Sequence, residues 1–316
     1  MTKTDQNLSR RDLLSNAALT AAALMFPVPL AACRKGALPP ERQTRSSDPD
    51  RERLTDWTGT LHAERLASPE VPLGLGAIRV GELAVGTPYE PFTLEAYLKT
   101  GGTPRQEPLT LSLTRFDCVT LVESSLAVAR LARESRTPTW ERFGSEIERM
   151  RYRGGERKDY ASRLHYFSEW ITDGEKRGLV KDLGADLGGA EDARPLRFMT
   201  EHRAKYPALA DNGMFREIGA IERQISRRPR RVIPTKRIPQ VVSRIETGDV
   251  LAFATDIPGL DVTHAAFAYR DRDKILRVLH APLSGGVVEV TRTTVPEYVA
   301  AIRRSTGILV ARPLRA

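Results

Sequence analysis

From Val250 onward the chain changes period, and that change sets what it can become. Residues 250–255, 263–270, 274–281 and 286–291 are short runs rich in Val, Ile, Leu and Phe, separated by turn residues. Consecutive strands joined by short turns pair antiparallel. Upstream the period is helical. Residues 54–67 suit a first helix, 94–99 a short one, and 160–171 another that ends before Gly174. Between them a longer helix opens at Phe116-Asp117-Cys118: Val122, Leu126 and Ala129 recur at helical spacing, and Leu121, Val128 and Leu131 widen the apolar face. Asp117 is placed to cap it, its carboxylate accepting from amides of the first turn. Helices first and strands later predict an α+β fold, with the Cys118 helix packed on an antiparallel sheet.

The chain has 316 residues, 41% of them apolar and 28% charged, which excludes disordered and fibrous classes and leaves ample material for a core. Residues 33–50 are rich in Pro, Ser, Arg and Asp with almost no large apolar side chain, and read as a tether. No later stretch shows a comparable shift and no repeat is visible, so residues 51–316 are expected to form a single domain.

Residues 1–32 have the layout of an export signal: a basic opening, an apolar run from residue 17 to 32, and small residues before Cys33. The run is too short to span a bilayer, which needs about 20 apolar residues. Pro27 and Pro29 also disfavour the competing reading, a buried N-terminal helix. Ser9-Arg10-Arg11-Asp12-Leu13-Leu14 resembles the twin-arginine export motif, preferred over the general secretory route. Leu30-Ala31-Ala32-Cys33 resembles a bacterial lipobox, in which Cys33 would be lipidated and become the first mature residue. Several acyl chains hold a protein on a membrane where one does not. The expectation is a protein anchored through Cys33 and facing the periplasm, the outer membrane slightly favoured because Arg34 rather than Asp follows the cysteine.

The net charge of +9 suggests anionic headgroups or wall polymers rather than nucleic acid, which an exported protein does not meet. The densest basic run, Arg227-Arg228-Pro229-Arg230-Arg231, reads as a solvated loop.

With Cys33 assigned to lipid, Cys118 is the one remaining thiol. A lone thiol in an oxidising compartment is either buried and inert or retained for chemistry. At the first turn of a capped helix the positive end of the dipole stabilises thiolate over thiol, and a backbone amide there can serve an oxyanion. A cysteine nucleophile needs a base, and the base an orienting partner. His264 and His280 lie in two strand candidates separated by Asp271-Arg272-Asp273. If those three residues close a hairpin, His264 and His280 are direct cross-strand partners with Cβ atoms about 5 Å apart. A metal site is the rival use of one cysteine and two histidines; it ranks lower, because no HExxH helix or paired cysteines are present, and no metal or other cofactor is expected. His62 and His202 have no matched partner, and His165 in SRLHYFSEW is a candidate for the cleft wall. Pro88 in Gly86-Thr87-Pro88-Tyr89 fixes a turn that would aim the Tyr89 phenol at substrate or oxyanion.

The order GTPY, FDC opening a helix, a strand histidine and a second histidine followed by Ala resembles the NlpC-type cell-wall cysteine peptidases, a papain-like superfamily. The resemblance implies Cys118 as nucleophile, His264 as base and His280 as orienter, with Tyr89 and Asp117 beside nucleophile and substrate. FDCVTLVES, HYFSEWI, GLDVTHAAFAY and LHA are similar to a narrower branch, the N-acetylmuramoyl-L-alanine amidase-like proteins, over roughly residues 75–312. That branch implies cleavage of the amide between the lactyl group of muramic acid, including its 1,6-anhydro form, and L-alanine of muropeptides. Val119-Thr120 stands where Ser-Gly commonly follows the cysteine, which puts the usual endopeptidase specificity in doubt. Cleavage of a stem-peptide bond such as D-glutamate to diaminopimelate, and an inactive wall-binding lipoprotein, remain as alternatives.

Overall fold

The strand-rich segments assemble into one sheet of order β2-β3-β8-β4-β5-β6-β7, with β1 also paired to β8. The strands are β1 (Val180–Asp182), β2 (Ala190–Asp192), β3 (Arg230–Pro234), β4 (Val250–Thr255), β5 (Val262–Arg270), β6 (Leu276–His280), β7 (Glu289–Val290) and β8 (Ser305–Pro313). All their ladders are antiparallel. This is a computed structural model and describes residues 48–282 and 286–315. The leader, Cys33 and the tether up to residue 47 lie outside them. The described part from Pro49 onward is one compact unit.

The principal helices are α1 (Pro49–Ala63), α2 (Leu73–Leu83), α3 (Cys118–Ala132), α4 (Trp140–Arg151), α5 (Phe167–Lys176), α6 (Asn212–Ile225) and α7 (Val295–Ala301). Helices α1 to α5 share a core with Val250, Ala252 and Ala254 of β4 and with Ala265 and Phe267 of β5. Leu251, Phe253, Ala266 and Ala268 face the other way and pack against Val295 and Val299 of α7. Both faces of the central strands are therefore buried, which is why β4 is buried at every position and apolar from Val250 to Ala254 instead of alternating. A third cluster joins α6 to Tyr160, Tyr166 and Leu260. Among the described residues, no helix is long and apolar enough to cross a membrane.

Three local expectations change. The helix expected over residues 160–171 is a single tight turn, Tyr160–Ser162, closed by Asp159, which takes the Ser162 amide at 2.9 Å. The chain then runs extended, with the Leu164 amide donating to Arg151 O at 2.9 Å, before α5 begins at Phe167. Helix α5 continues through Gly174, where the missing side chain admits Val180 of β1, and stops before Gly178 at φ +70°. The basic run is only partly a solvated loop. Arg227 and Arg228 are exposed, but Arg230 starts β3 and is buried against Asp192 at 3.0 Å. Helix α1 begins at Pro49, inside the expected tether and five residues before residue 54.

One close approach demands glycine. Gly248 lies at φ +89° just before β4, and a Cβ there would stand 2.2 Å from the Gly74 carbonyl oxygen. That contact seats the first turn of α2 on the sheet, and α2 leads directly into Gly86-Thr87-Pro88-Tyr89.

Candidate active site

Helix α3 packs across β5 with Cys118 as its first residue. Asp117 is the N-cap: its Oδ1 accepts from the Val119 and Thr120 amides at 2.9 and 2.7 Å, while the Thr120 hydroxyl accepts from the Asp117 amide at 2.8 Å. The two residues after the cysteine thus close a reciprocal capping box, with Thr120 in the place where Glu or Gln is commoner. Cys118 is 7% exposed and forms no disulfide with a described residue. Because Asp117 consumes the Val119 and Thr120 amides, those two are not available to an oxyanion.

The helix is held from its buried side by an ion pair. Glu123 Oε2 accepts from Arg151 Nε at 2.7 Å with both side chains almost fully buried, and Arg151 also reaches the Thr110 carbonyl at 2.7 Å. Burial pushes the Glu123 carboxyl above its usual range, and Arg151 opposes that shift.

The hairpin that carries the histidines is in a different register from the one expected. Arg270 pairs with Leu276 and Ala268 with Val278, so the loop spans residues 271–275 rather than three residues. Asp271 and Ile275 close it, the Asp271 amide donating to Ile275 O at 3.0 Å, with Lys274 at φ 64°. His264 and His280 are consequently not direct partners; they stand one diagonal step apart. The slip is two residues, so both side chains stay on one face, and a diagonal neighbour remains within reach of a ring. His264 Nε2 lies 2.8 Å from His280 Nδ1.

Three further features aim His264. The β4–β5 register shifts between Phe253 and Ala254, so Thr263 is an extra residue immediately before the histidine. Such a bulge redirects the side chains that follow it. Asp261, buried just before β5, accepts from the Val262 amide at 2.7 Å and from the Ser168 amide at 2.8 Å, tying the strand to the first turn of α5. Phe253 stacks on the His264 ring at 5.6 Å between centroids.

His280 is 1% exposed, and burial lowers its pKa to about 4. It is therefore neutral near pH 7. Tyr298 of α7 places its hydroxyl 3.4 Å from His280 Nδ1, and its ring crosses His280 edge-on at 5.2 Å. The Tyr298 phenol is pushed above its usual range by burial first, then by Glu289 and Cys118, so the thiol lies within electrostatic range of the group that touches His280. Sequence reasoning missed Tyr298, Glu289 and Asp261. The Thr294-to-Glu297 capping box marks the start of α7 but gives Tyr298 no role.

Tyr89 lies between the segment that enters α3 and the connection after β6. It forms a parallel bridge with Phe116, and its amide donates to Gly286 O at 2.8 Å. Arg53 fastens the same segment, donating to the Thr87 hydroxyl at 2.9 Å and the Leu113 carbonyl at 2.7 Å. His165 has Nε2 2.7 Å from Tyr160 O and its ring 4.4 Å from the Tyr160 ring, and burial, aided by Arg163, holds its pKa well below the usual value. Among the described residues, no group of three or more His, Cys, Asp and Glu is arranged to hold a metal ion.

The depressed His280 value carries a stability prediction. Between about pH 6.5 and pH 4 the unfolded chain binds a proton at this histidine that the folded chain does not, so folding stability falls as pH falls through that window. The slope from one such group is at most about 1.4 kcal/mol per pH unit. Urea midpoints measured from pH 7.5 to 4.5 should fall less steeply for His280→Gln than for wild type, with His165 still contributing in both. Parallel slopes would show that His280 is not held neutral.

The site belongs to a fold already seen in solved structures. An N-acetylmuramoyl-L-alanine amidase from Bacteroides uniformis is 27% identical with a TM-score of 0.69, covering 76% of this chain and 98% of its own. A structure titled a putative xylanase, from Bacteroides fragilis, is 30% identical with a TM-score of 0.67, covering 74% of this chain and 99% of its own. A Legionella pneumophila protein shares the fold at 18% identity and a TM-score of 0.60, covering 84% and 94%. No curated protein matches the sequence. The AmiA-like family model, described as N-acetylmuramoyl-L-alanine amidase-like, matches residues 79–308, more than two thirds of the chain, and the chain belongs to that family.

Proposed function

We propose that this protein is a cysteine amidohydrolase that cuts the amide between the lactyl group of N-acetylmuramic acid, including its 1,6-anhydro form, and L-alanine in peptidoglycan fragments. The observation that carries the reading is the 2.8 Å imidazole pair, His264 Nε2 to His280 Nδ1, on strands packed beneath a helix that begins with Cys118. Thiol, base and orienter are the parts that acyl transfer to sulfur requires. The family membership and the Bacteroides uniformis amidase support the substrate class. A papain-like arrangement of the NlpC type is the frame this assignment assumes. Glycoside cleavage, the activity in the name of the Bacteroides fragilis relative, would need two facing carboxyl groups. The groups around His280 are the His264 imidazole, the Tyr298 phenol and one carboxylate, Glu289, rather than a facing carboxyl pair.

In this mechanism Nε2 of His264 is engaged with His280, so Nδ1 is the base. It takes the Cys118 proton, and the thiolate attacks the lactyl carbonyl carbon. The resulting oxyanion draws on donors other than the Val119 and Thr120 amides; the Tyr89 phenol is assigned to it or to the neighbouring substrate amide. The imidazolium then protonates the alanine nitrogen and the stem peptide leaves. Water, deprotonated by His264, attacks the thioester, releasing the muramic carboxylate and restoring the thiol. His280, neutral at working pH, accepts a hydrogen bond from the Nε2–H of the transient imidazolium and leaves the proton on His264. Export by the twin-arginine route and anchoring through a lipidated Cys33 belong to the same proposal, and would place the enzyme among wall fragments in the periplasm.

Digestion of one defined anhydro-muropeptide beside its reducing counterpart tests the bond. The expected product is intact free stem peptide with L-alanine at its amino terminus. A stem clipped between D-glutamate and diaminopimelate would make this an endopeptidase, and neither product would leave a wall-binding role.

A further inference from the structure

His280 is flanked by two groups that the mechanism leaves without a role. Glu289 stands directly opposite it in the β6–β7 ladder, with Oε1 3.7 Å from His280 Nε2. That nitrogen is buried and has no hydrogen-bond partner among the described residues. On the other side, Nδ1 faces both His264 Nε2 at 2.8 Å and the Tyr298 hydroxyl at 3.4 Å.

A neutral imidazole carries one proton, and its position decides the polarity of the chain. If His280 carried it on Nδ1, that proton would point at His264 Nε2, which would have to accept it. His264 would then hold its own proton on Nδ1 and have no lone pair for a thiol. The same tautomer would leave the His280 Nε2 lone pair facing a carboxylate. With the proton on Nε2 every contact agrees: N–H toward Glu289, and a lone pair at Nδ1 toward the two donors. The groups facing His280 are His264 from β5, Glu289 from β7 and Tyr298 from α7, with Cys118 of α3 felt through Tyr298.

We propose that Glu289, assisted by Tyr298, sets the tautomer of His280 and thereby directs the base lone pair of His264 to Nδ1. Glu289 is a positioning residue and touches neither substrate nor thiol in this role; the proposal rests on the nucleophile and base assigned above. At 3.7 Å its carboxyl oxygen stands just outside hydrogen-bond distance and acts as the negative pole facing the N–H, a role that a neutral amide oxygen at the same place also fills. Its side chain is 48% exposed, so substitutions there leave the core intact.

The test uses the full chain labelled with 15N-histidine and two readouts. Long-range proton–nitrogen correlations should show His280 as the Nε2–H tautomer in wild type and in Glu289→Gln, whose amide oxygen can still accept. In Glu289→Leu they should show a mixture with Nδ1–H. Iodoacetamide alkylation of Cys118 near neutral pH should slow about tenfold in Glu289→Leu, the effect of one pKa unit of altered base strength, and within about twofold in Glu289→Gln. A wild-type Nδ1–H tautomer, or a Glu289→Leu protein with unchanged tautomer and alkylation rate, overturns the proposal. A wild-type Cys118 that alkylates no faster than an ordinary thiol overturns the nucleophile assignment instead, and the tautomer still decides the role of Glu289.

Discussion

Cys118→Ala should keep the fold and lose muropeptide hydrolysis by a factor of about 10⁴ or more, the scale seen when a covalent nucleophile is removed. The fold survives because alanine is smaller than the thiol it replaces, and the cap of α3 depends on Asp117 and Thr120 rather than on Cys118. The cost in stability is on the order of 1 kcal/mol. Cys118→Ser is the stricter version. It keeps nearly the same volume and a hydrogen-bonding atom, but a hydroxyl holds its proton far more tightly than a thiol, so activity should fall almost as far. His264→Ala should match it, because nucleophile and base act as one unit and their losses do not add. Hydrolysis and unfolding midpoint measured together separate loss of chemistry from loss of structure.

Arg151→Met should produce the largest loss of stability, about 3–5 kcal/mol, and lower the melting temperature by roughly 10 °C. The reason is the group left behind. Glu123 lies inside the α3–α4 interface with Arg151 as its ion-pair partner, and the methionine variant strands a carboxylate in an apolar core. Removing both charges with Glu123→Leu and Arg151→Met should recover much of the loss, since an apolar pair of similar volume avoids the dehydration of two ions. A cycle of single and double variants, followed by urea unfolding, checks this. If Arg151→Met alone is neutral, the pair is not what holds α3 from behind.

The class of fold is visible in the sequence because it depends on period. The helical spacing from Cys118 to Leu131 and the runs at 250–255 and 263–270 become α3, β4 and β5 almost to the residue. The hairpin shows where period stops informing. Asp271-Arg272-Asp273 reads as a tight turn, yet Lys274 in left-handed backbone and Ile275 extend the loop and move the register by two. The two histidines still meet because the slip is even. An odd slip would have put them on opposite faces of the sheet.

What stays hidden depends on distant partners. Nothing near Tyr160 in sequence says that Asp159 closes a tight turn and that the following residues pair with Arg151 and Tyr152. Glu123 reads as a polar interruption of an apolar face until Arg151 appears beside it. Tyr298 and Glu289 are single residues on a short helix and a two-residue strand. Only the folded sheet brings them to the two ends of His280.

The central claim is a thioester between Cys118 and the muramic lactyl carbonyl, and quenched-turnover mass spectrometry addresses it directly. Enzyme mixed with a defined anhydro-muropeptide, quenched in acid within milliseconds to seconds and digested, should yield the Cys118 peptide heavier by the sugar acyl group and lacking any amino acid of the stem. The increment should be absent in Cys118→Ala. An adduct that retains L-alanine and D-glutamate, or full hydrolysis by Cys118→Ala, would contradict the account.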